Sequence, residues 1–216
     1  GVGWRVDVVC FGVGGEPEPS PASAALVARK AVRDVGGEHV NVGTYGSFLL
    51  ALVCQSGSAS AEVTCTSIMP AFKDDESVYL SPVRSGVAGA SHVLRETLFS
   101  LQAAPALASP SRPLRADELL PERGLLGDDY AREELYQNVD QVLHGENPDD
   151  PTFVTVSTFL RNGSSLENTA KELNVHPNTV RYRLKRAAET TGWDATDPRD
   201  AYVLTTALAI GRMRDR

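Results

Sequence analysis

Arg181, Arg183, Lys185 and Arg186 crowd a short stretch near the C-terminus, behind a polar tip of His176, Asn178 and Thr179. Guanidinium and ammonium groups neutralise phosphates, and short amides and hydroxyls reach base edges of duplex DNA. At the start of a helix, unpaired backbone N–H groups add to the attraction for an anion. The chemistry these residues offer is binding to a polyanion.

Two short helices and the turn between them would hold these residues in place. Ser164 followed by Glu167 fits a capping box, in which hydroxyl and carboxylate each accept an orphan backbone N–H. Leu166, Ala170 and Leu173 recur at helical spacing, with Ala170 small where two helices must cross. Leu173-Asn174-Val175 supplies a turn, because Asn tolerates the left-handed conformation that ends a helix. Val175 is expected to plug the core beneath it. His176-Pro177 restarts the chain, since Pro suits the first helical position. A second helix over about 177–190 then buries Val180, Leu184, Ala187 and Ala188. It presents Asn178, Thr179, Arg181, Tyr182, Arg183, Lys185 and Arg186, with His176 at its tip. That is the layout of a helix-turn-helix whose second helix enters the DNA major groove. A solvated basic face on an amphipathic helix is the simpler alternative. Ala170, the five-residue step to Val175 and the Pro-started basic helix together disfavour it.

The flanks complete a small helical domain. Asp150-Pro151 opens a preceding helix with Phe153, Val156, Phe159 and Leu160 as its apolar side, ending at Asn162-Gly163. Asp197-Pro198 opens a last helix carrying Val203, Leu204, Ala207, Leu208 and Ile210. Three helix entrances thus share one grammar, a capping residue followed by Pro. Trp193 is expected to pack the last connection onto the core.

Val175-His-Pro-Asn-Thr-Val-Arg-Tyr-Arg-Leu184, with Thr191-Gly-Trp-Asp194 and Asp197-Pro-Arg-Asp-Ala-Tyr202, resembles the C-terminal domain of PucR/CdaR-type bacterial transcription regulators. That domain is similar to the Fis-type helix-turn-helix, and actinobacterial members are often called regulators of polyketide synthase expression. The resemblance implies DNA-facing positions at His176 to Thr179, Arg181 and Arg183. Many relatives carry Arg where this chain has Pro177, so an operator sequence does not transfer.

Charge is divided between the two parts of the chain. The 216 residues carry a net charge of −7. Residues 151–216 hold 10 Lys/Arg against 7 Asp/Glu, a balance of +3, and residues 1–150 hold 11 against 21, a balance of −10. A DNA-contacting module on an acidic partner domain should show this asymmetry. Cys10, Cys54 and Cys65 lack metal-ligand spacing and suit buried small hydrophobes in a reducing cytosol. No signal peptide or membrane-length apolar run is visible, so a cytoplasmic protein is expected. The absent initiator Met suggests a piece of a longer regulator.

The N-terminal part reads as α+β. Strands are expected over Arg5–Val13, His39–Tyr45, Ser47–Cys54 and Ser77–Val83, and helices over Pro21–Val35, Ala59–Phe72 and Gly89–Ala103. The β-α-β-β-α-β-α order is that of a ferredoxin-type sheet packed on helices. Gly14–Pro21 reads as a Gly/Pro/Glu-rich loop, and Gly12-Val-Gly-Gly15 after the strand, which lacks phosphate-loop spacing, reads as flexible loop and not as a phosphate site. The family resemblance implies a GGDEF-like domain, similar in fold to diguanylate cyclases, whose hairpin acids hold metal and substrate. Here the corresponding stretch is Tyr45-Gly46-Ser47-Phe48, without the acids, and Val8-Val9-Cys10-Phe11 offers no carboxylate either. Asp7 stands alone. His39, His92 and His144 lack companion ligands. No catalytic residues, metal or cofactor are therefore expected.

The expected organisation is a degenerate GGDEF-like α/β domain over 1–104, linker and connecting helices over 105–149, and a helix-turn-helix domain over 150–216. Within the middle segment, Asp129–His144 reads as a helix with Tyr130, Leu135, Val139 and Val142 apolar, and Gly145–Asp150 as a hinge. The expected function is sequence-specific regulation of transcription by a homodimer on double-stranded DNA, with a small-molecule effector of unspecified identity. The alternatives are a protein-interaction or nucleotide-sensing module whose helix-turn-helix is structural and, more remotely, an active cyclase.

Overall fold

Side chains of a strand alternate between its faces, and along Val9–Gly15 that alternation organises the N-terminal part of the chain. The computed structural model describes residues 8–37, 39–55, 59–145 and 150–214. The expected strand residues 5–7, with the lone Asp7, and the hinge residues 146–149 lie outside them. The chain divides into two compact units, Gly1–Asp128 and Asp129–Arg216.

In the first unit β1 (Val9–Gly15) pairs antiparallel with β3 (Phe48–Gln55) along one edge. Along the other edge it pairs with β4 (Val78–Leu80) and the two-residue β5 (Arg84–Ser85). The hairpin strand β2 (His39–Tyr45) completes the order β2-β3-β1-β4, with Tyr45 opposite Phe48 across the turn. With α1 (Pro21–Asp34) and α2 (Ala61–Ile68) between the strands, this is the expected ferredoxin-type arrangement. Phe11, Val13, Leu49, Val53, Val78 and Leu80 bury against both helices on one face. Cys10, Leu52 and Cys54 bury against Ala90 and Val93 of α3 (Gly86–Ala103) on the other.

Gly12-Val-Gly-Gly15 lies within β1, and not in the loop expected for it. A Cβ on Gly12 would overlap Thr97 Oγ1 and lie 2.8 Å from Val93 Cγ1, and one on Gly14 would lie 2.7 Å from Thr97 Cγ2. The glycines bring α3 directly onto the strand backbone, so close packing, and not loop flexibility, explains them. Proline moved two other boundaries. The helix expected over 59–72 ends at Ile68 before a 3₁₀ turn containing Pro70. The strand expected over 77–83 shortens to β4, which ends before Pro82, and the unexpected β5 follows it, because Pro has no N–H to give a ladder.

The α3 side of the unit also buries charge. Tyr79 donates to Glu96 Oε1 at 2.5 Å, and Arg84 Nη2 lies 2.9 Å from Glu96 Oε2. Burial beside that carboxylate raises the Tyr79 phenol far above its ordinary range. Arg123, on α4 (Leu120–Leu126), donates to Asp128 through Nε and Nη2 at 2.9 and 2.7 Å.

In the second unit the helix expected over 129–144 forms as α5 (Asp129–Leu135), a widened π turn at Tyr136–Asp140 and α6 (Gln141–His144). Leu135 and Val139 are buried as expected, but Tyr130 and Val142 are exposed. The fold continues through α7 (Thr152–Arg161), α8 (Leu166–Glu172), α9 (Pro177–Thr191) and α10 (Pro198–Arg214). Val203, Leu204, Ala207, Leu208 and Ile210 of α10 are all buried. On α7 the apolar expectation is only half met. Val156 and Phe159 are buried, Phe153 and Leu160 partly so, and Thr152, Thr155 and Thr158 take the remaining buried positions. Thr155 manages this by donating its hydroxyl to the Pro151 carbonyl at 2.7 Å. In the connection before α10, Ala195 is fully buried and Trp193 only partly. Among the described residues no helix is long and apolar enough to cross a membrane.

Candidate nucleic-acid interface

Three local devices set the geometry of α8 and α9. Gly163 and Ser164 both take left-handed φ, 62° and 61°, as the chain leaves α7. The cap of α8 is therefore Ser165, one residue later than expected, with its Oγ accepting from Asn168 N at 3.3 Å. Asn174 then takes φ 52°, the left-handed turn anticipated for it, and Val175 N donates to Ala170 O at 3.0 Å. This closes α8 in the manner of a left-handed C-cap. Val175 is partly buried beneath the turn. Finally His176 is the N-cap of α9, its Nδ1 accepting from Asn178 N at 3.1 Å, with Pro177 in the first turn.

Once started, α9 sorts its side chains into three stripes. Val180, Leu184 and Ala187 are buried. Asn178, Arg181, Tyr182 and Lys185 form an exposed stripe at helical spacing, with Tyr182 67% exposed. Arg181 Nη1 donates to Asn178 Oδ1 at 2.6 Å, so these two polar groups orient one another. Lys185 Nζ stands 3.8 Å from Glu189 Oε1.

The third stripe holds Thr179, Arg183 and Arg186 and turns toward the start of α7. Arg183 Nη1 donates to Thr155 Oγ1 at 3.3 Å, and Arg186 Nη2 lies 2.9 Å from Asp150 Oδ2. Asp150 Oδ1 accepts from Thr152 N at 2.9 Å and from Thr152 Oγ1 at 2.5 Å. These hydrogen bonds, with Arg186 and Arg183 adding to them, hold the Asp150 carboxyl below its ordinary value. A second clamp joins α7 to α8: Glu172 accepts from Arg161 and, at 2.8 Å, from Asn162 Nδ2.

All eight residues singled out in the sequence lie on or at the start of α9, but they divide between these surfaces. Asp150 and Thr155 escaped notice as partners of the arginines. Asp150 has a sequence signal only as a helix opener, and Thr155 has none.

A compact helical unit with this turn and basic helix, following an α+β unit in the sequence, is a build that bacterial transcription regulators share. The chain belongs to the PucR family of such regulators. Residues 153–210 match the PucR C-terminal helix-turn-helix domain. The chain is 80% identical to the crystal structure of a regulator of polyketide synthase expression from Bifidobacterium adolescentis, with a TM-score of 0.96, covering 100% of this chain and 84% of that one. It is 35% identical over 208 residues to an uncharacterised protein of Mycobacterium tuberculosis, covering 92% of this chain and 49% of that protein. A shorter match, 34% identical over 80 residues, joins it to the purine catabolism regulatory protein of Bacillus subtilis, covering 37% of this chain and 15% of that protein. The chain thus spans about half the length of the mycobacterial relatives it matches.

Proposed function

We propose that this regulator binds duplex DNA by inserting the N-terminal half of α9 into the major groove. Asn178, Arg181, Tyr182 and Lys185 form the core of the interface, and His176 and Thr179 flank the capped tip. Arg183 and Arg186 border it and enter only by exchanging their present partners. The observation that carries this reading is the exposed stripe Asn178, Arg181, Tyr182 and Lys185 on a helix whose start is fixed by His176 and Asn174. One such module makes few contacts, so specific binding calls for a homodimer on half-sites about one helical turn, ~34 Å, apart. The first unit serves as a regulatory or dimerising domain in the cytoplasm, responsive to a small molecule, and performs no catalysis. In support, the hairpin turn at Gly46-Ser47 carries no carboxylate, and Glu16, which follows β1, is paired with Lys73 at 2.7 Å.

Fluorescence anisotropy of the chain against fragments of its own upstream region, at two salt concentrations, tests this. Preference for one fragment, loss of affinity with salt and collapse in Arg181→Ala are expected. A folded protein that shows no salt-dependent preference would favour an interaction or sensing role.

A further inference from the structure

We infer that Asp150 acts as an internal substitute for a DNA phosphate, occupying Arg186 and so lowering the affinity of α9 for DNA. The inference rests on the DNA-binding reading above and concerns how strongly that binding is set.

The two oxygens of Asp150 have separate tasks. Oδ1 takes both donors of Thr152, and Oδ2 faces Arg186 at 2.9 Å. The Asp150 side chain is 15% exposed while the Arg186 side chain is 53% exposed. The cation is therefore within reach of solvent and of a polyanion, and the anion holding it is sheltered. Arg183, on the same stripe, is tied nearby through Thr155 and also acts electrostatically on Asp150. The exposed stripe led by Asn178 and Arg181 contains no such acidic competitor from another helix among the described residues.

The energetic consequence follows from counterion release. Binding of a cationic side chain to DNA gains from freeing the ion condensed on the phosphate, and each phosphate neutralised adds about 0.9 to the slope of log K against log salt. Arg186 paired with Asp150 is nearly neutral as a unit. To take a phosphate it must leave Asp150 unpaired beside the DNA polyanion, which offsets the gain. Arg186 is thus withheld from the contact set although it lies on the recognition helix.

The test compares four forms of the whole chain, each shown to be folded by circular dichroism: wild type, Asp150→Asn, Arg186→Ala and the double variant. Asn keeps the acceptor that Thr152 needs and replaces only the oxygen facing Arg186. Anisotropy titrations against the preferred upstream duplex over a range of salt provide the readout. Asp150→Asn is expected to bind several-fold tighter at low salt, with a slope steeper by about 0.9. Arg186→Ala bares the Asp150 carboxylate and should bind no tighter than wild type, whereas the double variant, which removes both charges, should return to the wild-type slope. Asp150→Glu, which keeps the charge, should also keep the wild-type slope. If the double variant instead has a slope lower than wild type by about 0.9, Arg186 already serves a phosphate and the inference is overturned. Weaker binding by Asp150→Asn without a steeper slope would reduce Asp150 to a helix cap and overturn it equally. Wild-type protein that shows no salt-dependent binding would instead remove the DNA-binding reading, and this inference with it.

Discussion

Arg123 and Asp128 form a buried ion pair across the left-handed residue Gly127, with Nη2 and Oδ2 2.7 Å apart and both side chains at most 1% exposed. Removing one partner leaves the other charge buried and uncompensated, the situation in which ion pairs matter most. Asp128→Ala should therefore cost about 3–5 kcal/mol of stability. Urea denaturation followed by circular dichroism measures it, and a loss below about 1 kcal/mol would show that Arg123 finds another acceptor, Glu96 being 4.0 Å away.

The contact between Gly12 and Thr97 makes a second prediction. Gly12→Ala places a methyl where Thr97 Oγ1 stands, and Thr97 is anchored by its own hydrogen bond to Val93 O at 2.7 Å. Overpacking of this kind costs about 1–3 kcal/mol. Combining it with Thr97→Ala should recover part of the loss in the same denaturation experiment.

Capping at Ser165 can be separated from capping at Ser164. Ser165→Ala should lower stability by about 1 kcal/mol because Asn168 N loses its acceptor. Ser164→Gly should stabilise the protein or leave it unchanged, since φ at that position is 61° and glycine accepts it without strain. Thermal unfolding of both variants distinguishes the two positions.

Tyr182 is 67% exposed, so Tyr182→Ala should leave the melting temperature nearly unchanged while weakening duplex binding. A drop in stability as large as the drop in affinity would place Tyr182 in the fold instead of the interface.

His92 predicts a pH dependence. Burial, followed by the nearby Arg84 charge, lowers its pKa below the ordinary 6.5 despite Glu96, whose carboxylate lies 3.2 Å away. As pH falls below about 6.5 the unfolded chain takes up a proton that the folded chain still refuses, so the unfolded state gains and stability falls. The contribution is fully present above 6.5 and is lost until the lower folded value is reached. His92→Gln should flatten the fall in unfolding free energy between about pH 7 and the acid side of this window. An unchanged pH profile would assign the dependence to other groups.

Much of the second unit was legible in the sequence because its signals are local. Pro177, Pro198, the left-handed Asn174 and the spacing of Val203, Leu204, Ala207, Leu208 and Ile210 each act over a few residues of one helix. The order of strands and helices along the first unit was legible for the same reason, as alternation and turn residues mark each element. Gly12 and Gly14 were misread because their meaning lies in Thr97, which is remote in sequence and adjacent only once α3 packs on β1.

For the candidate interface the division is similar. Local signals alone specify a capped, basic helix after a tight turn, with the residue types that can meet DNA. Which of those cations stand clear and which are held depends on how the helices pack. Helical spacing places Arg181 and Lys185 on one stripe and Arg183 and Arg186 on another, but it does not say what each stripe faces. That follows from Asp150 and Thr155 at the start of α7, which packs against α9. An ion pair is a statement about distance in space, and sequence spacing specifies that distance only within a single helix or turn.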